Sequence, residues 1–304
     1  MTHGRAKLIL NGEHAVLGSA RAIVFPWTEG AVARASKRMA GAASFELEGL
    51  PPGAQVRDES IRALWAMTDV LVARGFDGAA FMDVRARLKV PAGVGFGASA
   101  ALGVAVARAL APGLSDDVLR EAAMAWEMCA HGSASGVDVA AAMSDAPLSF
   151  RRGELPERLN VRPGRSVLVP VLVEAAPSTR EMVSRVQAWA AAAPRAWQSF
   201  CDNADERSNR MAAALEAGQP DLVGRAMNEA HEALRELRVL TPLTDLVARL
   251  ARRSGAYGAK ITGAGGGGAV VALMDASLVD GYLDVIAGRG LRVFEPVLLA
   301  EAKA

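Results

Sequence analysis

Two cysteines in 304 residues, Cys129 and Cys201, are too few for a disulfide framework or a zinc cluster. A reducing compartment, the cytoplasm, is the simple reading. Long apolar runs are missing too. The best stretch, Val167 to Val173, is interrupted by Pro170 and falls far below the roughly 18 residues of a membrane span. The apolar stretch near the N-terminus is too short for a signal-peptide core. No sign of charge dominates, since 34 basic residues face 33 acidic ones for a net charge of +1. That balance excludes a broad nucleic-acid footprint and electrostatic attachment to anionic membranes. Lysine is scarce: Lys7, Lys37, Lys89, Lys260 and Lys303 are the only ones, and arginine is the default cation. An ammonium and a guanidinium are not interchangeable, so the surviving lysines draw notice.

What is present is an ordinary globular balance, 51% hydrophobic and 22% charged. At roughly 150 residues per domain the length suits about two domains. Pro147, Gly153, Pro156, Pro163 and Gly164 make 145–165 the best junction, which gives expected domains of 1–160 and 161–304.

Hydrophobic spacing predicts a helix over 58–74, capped by Asp58, with Ile61, Leu64, Trp65, Thr68, Leu71 and Val72 on one stripe. Val84 to Val90 alternates and reads as a half-buried strand. Small apolar residues predict a buried helix from Ser99 to Leu110. Ser115 caps a further helix to about Ala130, with Asp116 and Asp117 suiting its dipole. Gly132, Ser133, Ser135 and Gly136 then mark a loop. Val167 to Val173 is a buried strand, and Ser178-Thr179-Arg180-Glu181 is a capping box opening a helix to about Ala193. Helices follow near 197–216, 220–237, 242–254 and 277–288. Strands are expected at 5–10, 259–262, 269–273 and 292–299. Helices grouped in the second half favour an α+β fold over a regular βαβ winding.

Three segments carry candidate chemistry. Pro91-Ala92-Gly93-Val94-Gly95-Phe96-Gly97-Ala98-Ser99-Ala100 lies between a strand and a helix. Glycines allow close backbone approach, and a helix N-terminus offers free N–H groups to phosphate. A Walker A loop is excluded by the missing lysine. A dinucleotide fingerprint fits formally, but its strand should be apolar on both faces, and this one carries Arg85, Arg87 and Lys89. A tight turn before a buried helix and a non-Walker phosphate cradle remain. Next, Glu127 and Asp138 flank a His-Gly-rich loop. They suit the two carboxylates of an alcohol kinase, one holding Mg²⁺ and one accepting the hydroxyl proton. A solvated helix-end glutamate and a helix-capping aspartate fit the spacing equally. Finally, Lys260-Ile261-Thr262-Gly263-Ala264 leads into four consecutive glycines, Gly265 to Gly268. A hairpin needs at most one or two, so close approach to a ligand or catalytic centre is the expected reason.

Together with Lys7 and the segment Gly12-Glu13-His14-Ala15-Val16, these segments resemble, in order and separation, the signature motifs of the GHMP small-molecule kinases. Within them the chain resembles the mevalonate kinases. Galactokinases follow Glu-His with Thr-Asp-Tyr, and phosphomevalonate kinases usually replace the histidine with tyrosine. The loop His131-Gly132-x-x-Ser135-Gly136-Val137-Asp138 is similar to the mevalonate kinase loop as well. The motifs cover residues 7 to 273.

The resemblance implies a ribosomal-protein-S5-like N-terminal domain and a ferredoxin-like C-terminal domain, with ATP and mevalonate in the cleft between them. It implies phosphorylation of the 5-hydroxyl of (R)-mevalonate. Asp138 would be the catalytic base, with Lys7 beside it, where an ammonium stabilises an adjacent anion. Ser99 and Glu127 would coordinate Mg²⁺. Gly93, Val94, Gly95, Phe96, Gly97, Ala98, Ser99 and Ala100 would wrap the ATP phosphates, joined by Gly265 and Gly266. Glu13, His14 and Thr179 would shape the mevalonate pocket. Ala98 stands where the family commonly has serine, and Ala134 where a proline is common. Family members are often dimers, so a homodimer is compatible. The alternatives are a GHMP kinase acting on phosphomevalonate, a sugar or another mevalonate hydroxyl, and a non-catalytic metabolite-binding paralogue.

Overall fold

The computed structural model describes residues 1–38, 44–48, 58–132 and 134–299. Ser133 and Lys303 lie outside the described residues. In chain order the elements are β1 (Thr2–Asn11), β2 (Ala22–Lys37), β3 (Ser44–Glu48), α1 (Asp58–Ala73), β4 (Met82–Leu88), α2 (Ala98–Leu110), α3 (Asp116–His131) and α4 (Val137–Met143). Then come β5 (Leu148–Phe150), β6 (Glu157–Arg158), β7 (Ser166–Glu174), α5 (Thr179–Ala192), α6 (Pro194–Ala217), α7 (Pro220–Glu236) and α8 (Pro242–Arg253). The chain finishes with β8 (Gly258–Thr262), β9 (Gly268–Asp275), α9 (Val279–Ala287), β10 (Arg292–Val293) and β11 (Val297–Leu298). Two compact units result: residues 1–7, 26–92 and 97–145 form the first, and residues 8–25, 93–96 and 146–304 the second.

In the first unit, β2 pairs antiparallel with β4 from Ala31↔Leu88 to Lys37↔Met82, and β4 pairs parallel with β3. The alternation read in β4 holds, with Val84 and Ala86 buried and Arg85 and Arg87 exposed. The expected stripe of α1 is shifted. Leu64, Thr68 and Leu71 are buried as the spacing predicts, but their companions are Ala63 and Met67. Ile61, Trp65 and Val72 are 40%, 56% and 36% exposed. Helix α1 packs against α3, and its Ala63, Leu64, Met67 and Leu71 share a core with Ala122 and Ala123. Helix α2 is buried almost all round, because alanine and glycine let its neighbours approach closely.

In the second unit β9 lies between β7 and β8, antiparallel to both. The strand expected over 292–299 is two short ones. Arg292 and Val293 pair with Leu172 and Val171, whereas Val297 and Leu298 pair with Leu168 and Val167. Pro296 and, on the partner strand, Pro170 lack the N–H a continuous ladder needs. The Phe294 N–H donates to the Pro170 carbonyl across the gap, at 3.0 Å. Within this unit Asn11, closing β1, is pinned by α6. Its amide donates to the Ala204 carbonyl at 2.8 Å and Ser208 Oγ at 2.6 Å, and it accepts from Arg207 at 3.1 Å.

His231 on α7 is buried, and its Nε2 lies 3.2 Å from Asp245 Oδ1 on α8. Burial, with the charges of Lys260 and Arg252, pushes its pKa down to about 4 against the bond to Asp245. Above the ordinary value of 6.5 both the folded and unfolded forms are neutral. Below it the unfolded chain takes up a proton that the folded one refuses, so stability is lost as pH falls towards 4. We expect guanidinium denaturation to show a drop of about 2 kcal/mol between pH 7 and pH 5 from this group, and His231→Gln to remove it. An unchanged pH 5 deficit in that variant would assign the loss to other groups.

Candidate functional site

Each unit gathers its own set of polar residues. In the first, Lys7 on β1 and Asp138 in the first turn of α4 form an ion pair, Nζ to Oδ1 at 3.3 Å. The lysine side chain is 3% exposed and the carboxylate 33%, so the cation is fixed and the acid faces outward. Gly136 caps α4 at φ +90, and Asp138 is a first-turn residue, not the cap. The neighbour that makes room is Gly97, at φ +70, where a Cβ would stand 2.9 Å from Lys7 Cγ.

Gly97 is also the N-cap of α2 and supplies no side-chain cap. The first helical bond runs from Ala101 N to the Gly97 carbonyl at 3.0 Å. The N–H groups of Ala98, Ser99 and Ala100 therefore have no intrahelical acceptor, which suits an anion. Ser99 Oγ donates to Glu127 Oε1 at 2.5 Å and accepts from the Trp126 indole N–H at 3.3 Å. Burial, and after it the Asp138 charge, push the Glu127 carboxyl up to about 8, against the opposing pull of Ser99 and Lys7. His131 Nε2 is 3.8 Å from the same oxygen. A buried acid held high is one whose anion is under-compensated. Paired with a hydroxyl oxygen, it fits a hard divalent cation.

Within the 93–96 stretch Gly93 is exposed at φ +77, while Val94 and Phe96 turn inward. The Phe96 ring meets Phe294 edge-on at 5.2 Å. Gly95, at φ +96, lies so close to β8 that a Cβ would be 2.0 Å from the Thr262 carbonyl oxygen. Gly95→Ala is expected to destabilise the protein by about 3 kcal/mol. A wild-type denaturant midpoint would contradict this packing.

The second unit assembles Glu13, His14 and the 258–268 hairpin. Glu13 is 4% exposed and its Oε1 is ion-paired with Lys260. His14 sits at φ 59, a strained conformation for a side-chain-bearing residue. Its Nε2 is 2.9 Å from the Ala264 carbonyl oxygen. A carbonyl only accepts, so Nε2 carries the proton. Burial and the nearby Lys260 charge lower the imidazole pKa, against that hydrogen bond, and favour the neutral ring. Nδ1 is then a hydrogen-bond acceptor, fit for a hydroxyl. Thr179 is exposed at the first position of α5, after the Ser178 cap that accepts from Glu181 N at 3.1 Å. The capping box is half formed, since the Glu181 side chain turns to Arg185 at 2.6 Å.

Gly265 and Gly266 are packed by protein. A Cβ at Gly265 would stand 2.5 Å from the Val239 carbonyl oxygen, and one at Gly266 2.7 Å from Met182 Sδ. The structure adds two partners that spacing did not mark. Trp126 follows from nothing but its place beside Glu127. Lys260 carried a signal, as one of five lysines and part of a glycine-rich motif.

The family model for the GHMP kinase N-terminal domain matches residues 61–145, and that for the GHMP kinase C-terminal domain matches residues 211–281. A mevalonate kinase of Aeropyrum pernix is 30% identical over 312 residues, covering 97% of this chain and 94% of its own. A mevalonate kinase of Pyrococcus abyssi is 27% identical, covering 88% and 86%. The structure of the L. major mevalonate kinase in complex with R-mevalonate matches with a TM-score of 0.84 at 26% identity, covering 99% of this chain and 96% of that one. The chain belongs to the GHMP kinase family. The relatives just named, matched over most of their length, are mevalonate kinases within it. Among the described residues no helix is long and apolar enough to cross a membrane.

Proposed function

We propose that this protein transfers the γ-phosphoryl group of ATP to the 5-hydroxyl of (R)-mevalonate, giving 5-phosphomevalonate and ADP. The observation that carries the chemistry is the Lys7–Asp138 ion pair, a fixed cation against a half-exposed carboxylate. The Asp138 carboxylate accepts a hydrogen bond from the substrate hydroxyl, orients it, and takes its proton as the oxygen bonds to phosphorus. The Lys7 ammonium stabilises negative charge growing on that oxygen. The bond between the γ-phosphorus and the bridging oxygen breaks, and ADP leaves. The N–H groups opening α2, which lack intrahelical acceptors, bind phosphate oxygens, with Gly93 to Ala100 as the surrounding cradle.

Ser99 and Glu127 fit Mg²⁺, on the oxygen donors and the under-compensated buried acid described above. Bound there, the ion would neutralise phosphate charge. Glu13 and the Nδ1 face of His14 select the substrate, with Thr179 as a further contact. Two free cysteines, one with its thiol pushed up to about 11 by burial, suit a reducing cytoplasm.

The test is ADP release from MgATP with mevalonate, phosphomevalonate, galactose and homoserine in parallel. Turnover on mevalonate alone is expected. Preference for another compound would overturn the roles of Glu13 and His14 while leaving Lys7 and Asp138 in place. Absence of turnover with ATP still bound would favour a metabolite-binding paralogue.

A further inference from the structure

Strand β8 is buried at every position, and one of its five residues is a lysine. Lys260 is 0% exposed. Its ammonium has three donors, and three acceptors meet them: the Glu13 carboxylate, the Ile9 carbonyl at 3.3 Å and the Ile261 carbonyl at 2.5 Å. Two of these belong to the backbone of β1 and β8, so the ammonium is anchored by the fold, and the carboxylate is placed by the ammonium. The next residues of the same segment reach the same stretch of chain. Ile9 N donates to Thr262 Oγ1 at 2.9 Å, and His14 donates to Ala264 O at 2.9 Å. A guanidinium is a rigid planar fork and would not aim its donors at these acceptors as a compact ammonium does.

We propose that Lys260 is a positioning residue for substrate selection: it holds Glu13 through one carboxylate oxygen and leaves the other for a substrate hydroxyl. The segment from Lys260 to Ala264 is then a template for both selecting side chains, Glu13 and His14. Stability alone is a poor reason for the pair, because a buried ion pair is often matched by apolar residues of similar volume. The inference rests on the mevalonate reading of Glu13, and its test separates the two.

Glu13→Gln, Lys260→Met and the double variant are compared with wild type for kcat, KM for mevalonate, KM for ATP and thermal midpoint. Lys260→Met is expected to raise KM for mevalonate about 10- to 100-fold, the range of a lost charged hydrogen bond, with KM for ATP unchanged. Lys260→Arg is not expected to rescue it. Because Lys260 acts through Glu13, the double variant should match Glu13→Gln in KM for mevalonate. A folded Lys260→Met with wild-type KM overturns the proposal, as does Glu13→Gln with wild-type KM or a double variant whose effects multiply. If Lys260→Met fails to fold, the double variant, which buries no unpaired charge, decides. A KM equal to that of Glu13→Gln supports the assignment, and one well above it overturns it. Wild-type turnover in the same assay tests the substrate separately.

Discussion

Replacing Asp138 with asparagine is expected to lower kcat by about 10²–10⁴-fold, the range of a lost general base. The carboxamide keeps the shape and can still accept a hydrogen bond, but it does not take a proton. It also leaves the buried Lys7 ammonium facing a neutral group, at a position now 3.3 Å from a carboxylate. Since Asp138 is placed by α4 and not by the loop before α2, KM for ATP should move little. Steady-state kinetics at pH 7.5, with circular dichroism to verify the fold, would check this. A variant that kept full kcat would remove Asp138 from the chemistry. A fall confined to KM would make it a binding residue.

The second large effect is expected at Glu127, where activity and stability should move in opposite directions. Glu127→Gln removes the carboxylate from the proposed cation pair and is expected to lower kcat/KM for MgATP by about 10²–10³-fold, as for a lost charge-stabilising group. Without metal, the Glu127→Gln variant should be more stable than wild type at alkaline pH. The carboxyl titrates near 8 in the folded chain and near 4.5 in the unfolded one. Between those values the folded state holds a proton that the unfolded state has released. Stability from this group therefore falls as pH rises from about 4.5 to 8. The glutamine variant lacks that slope. Denaturation at pH 6 and pH 9 without metal should show wild type losing more than Glu127→Gln. Equal losses would place the carboxyl in a more polar setting than its burial implies.

Long periodic elements were legible in the sequence because local pattern decided them. Helices α2, α3, α6, α7 and α8 and strands β4, β7, β8 and β9 lie within a few residues of the spacing-based spans. Strand β2 was not legible. It contains Pro26, Trp27 and Gly30 with no sustained alternation, and its neighbours change along its length, β5 at Ala22–Val24 and β4 from Ala31 onward. The short helix α4 was hidden because glycine opens it and only seven residues follow. In α1 spacing does not distinguish a large exposed side chain from a small buried one, so it puts Trp65 on the buried face although the side chain is exposed.

The candidate site divides along the same line. Each motif announced itself by residue type and glycine content. The ion pairs Lys7–Asp138 and Glu13–Lys260 join residues far apart in the chain, and no local pattern encodes such partners. The first was anticipated only through resemblance to a family. The second is visible only in the folded chain.

The tie between the start of the chain and the β8 hairpin has a consequence for synthesis. Ile9 and Thr262 are 253 residues apart, and Glu13 and Lys260 are 247 apart. Closing loops of that length is slow and comes late. On the ribosome Glu13, proposed above to select the substrate, must wait without its Lys260 partner until β8 emerges. A ribosome stalled shortly after β7 would hold a chain that has made Lys7, Glu127 and Asp138 but not Lys260, the ion-pair partner of Glu13. Pulsed proteolysis of such nascent chains should cut near residue 13 until β8 and β9 have cleared the exit tunnel, and protection should then arrive in a single late step.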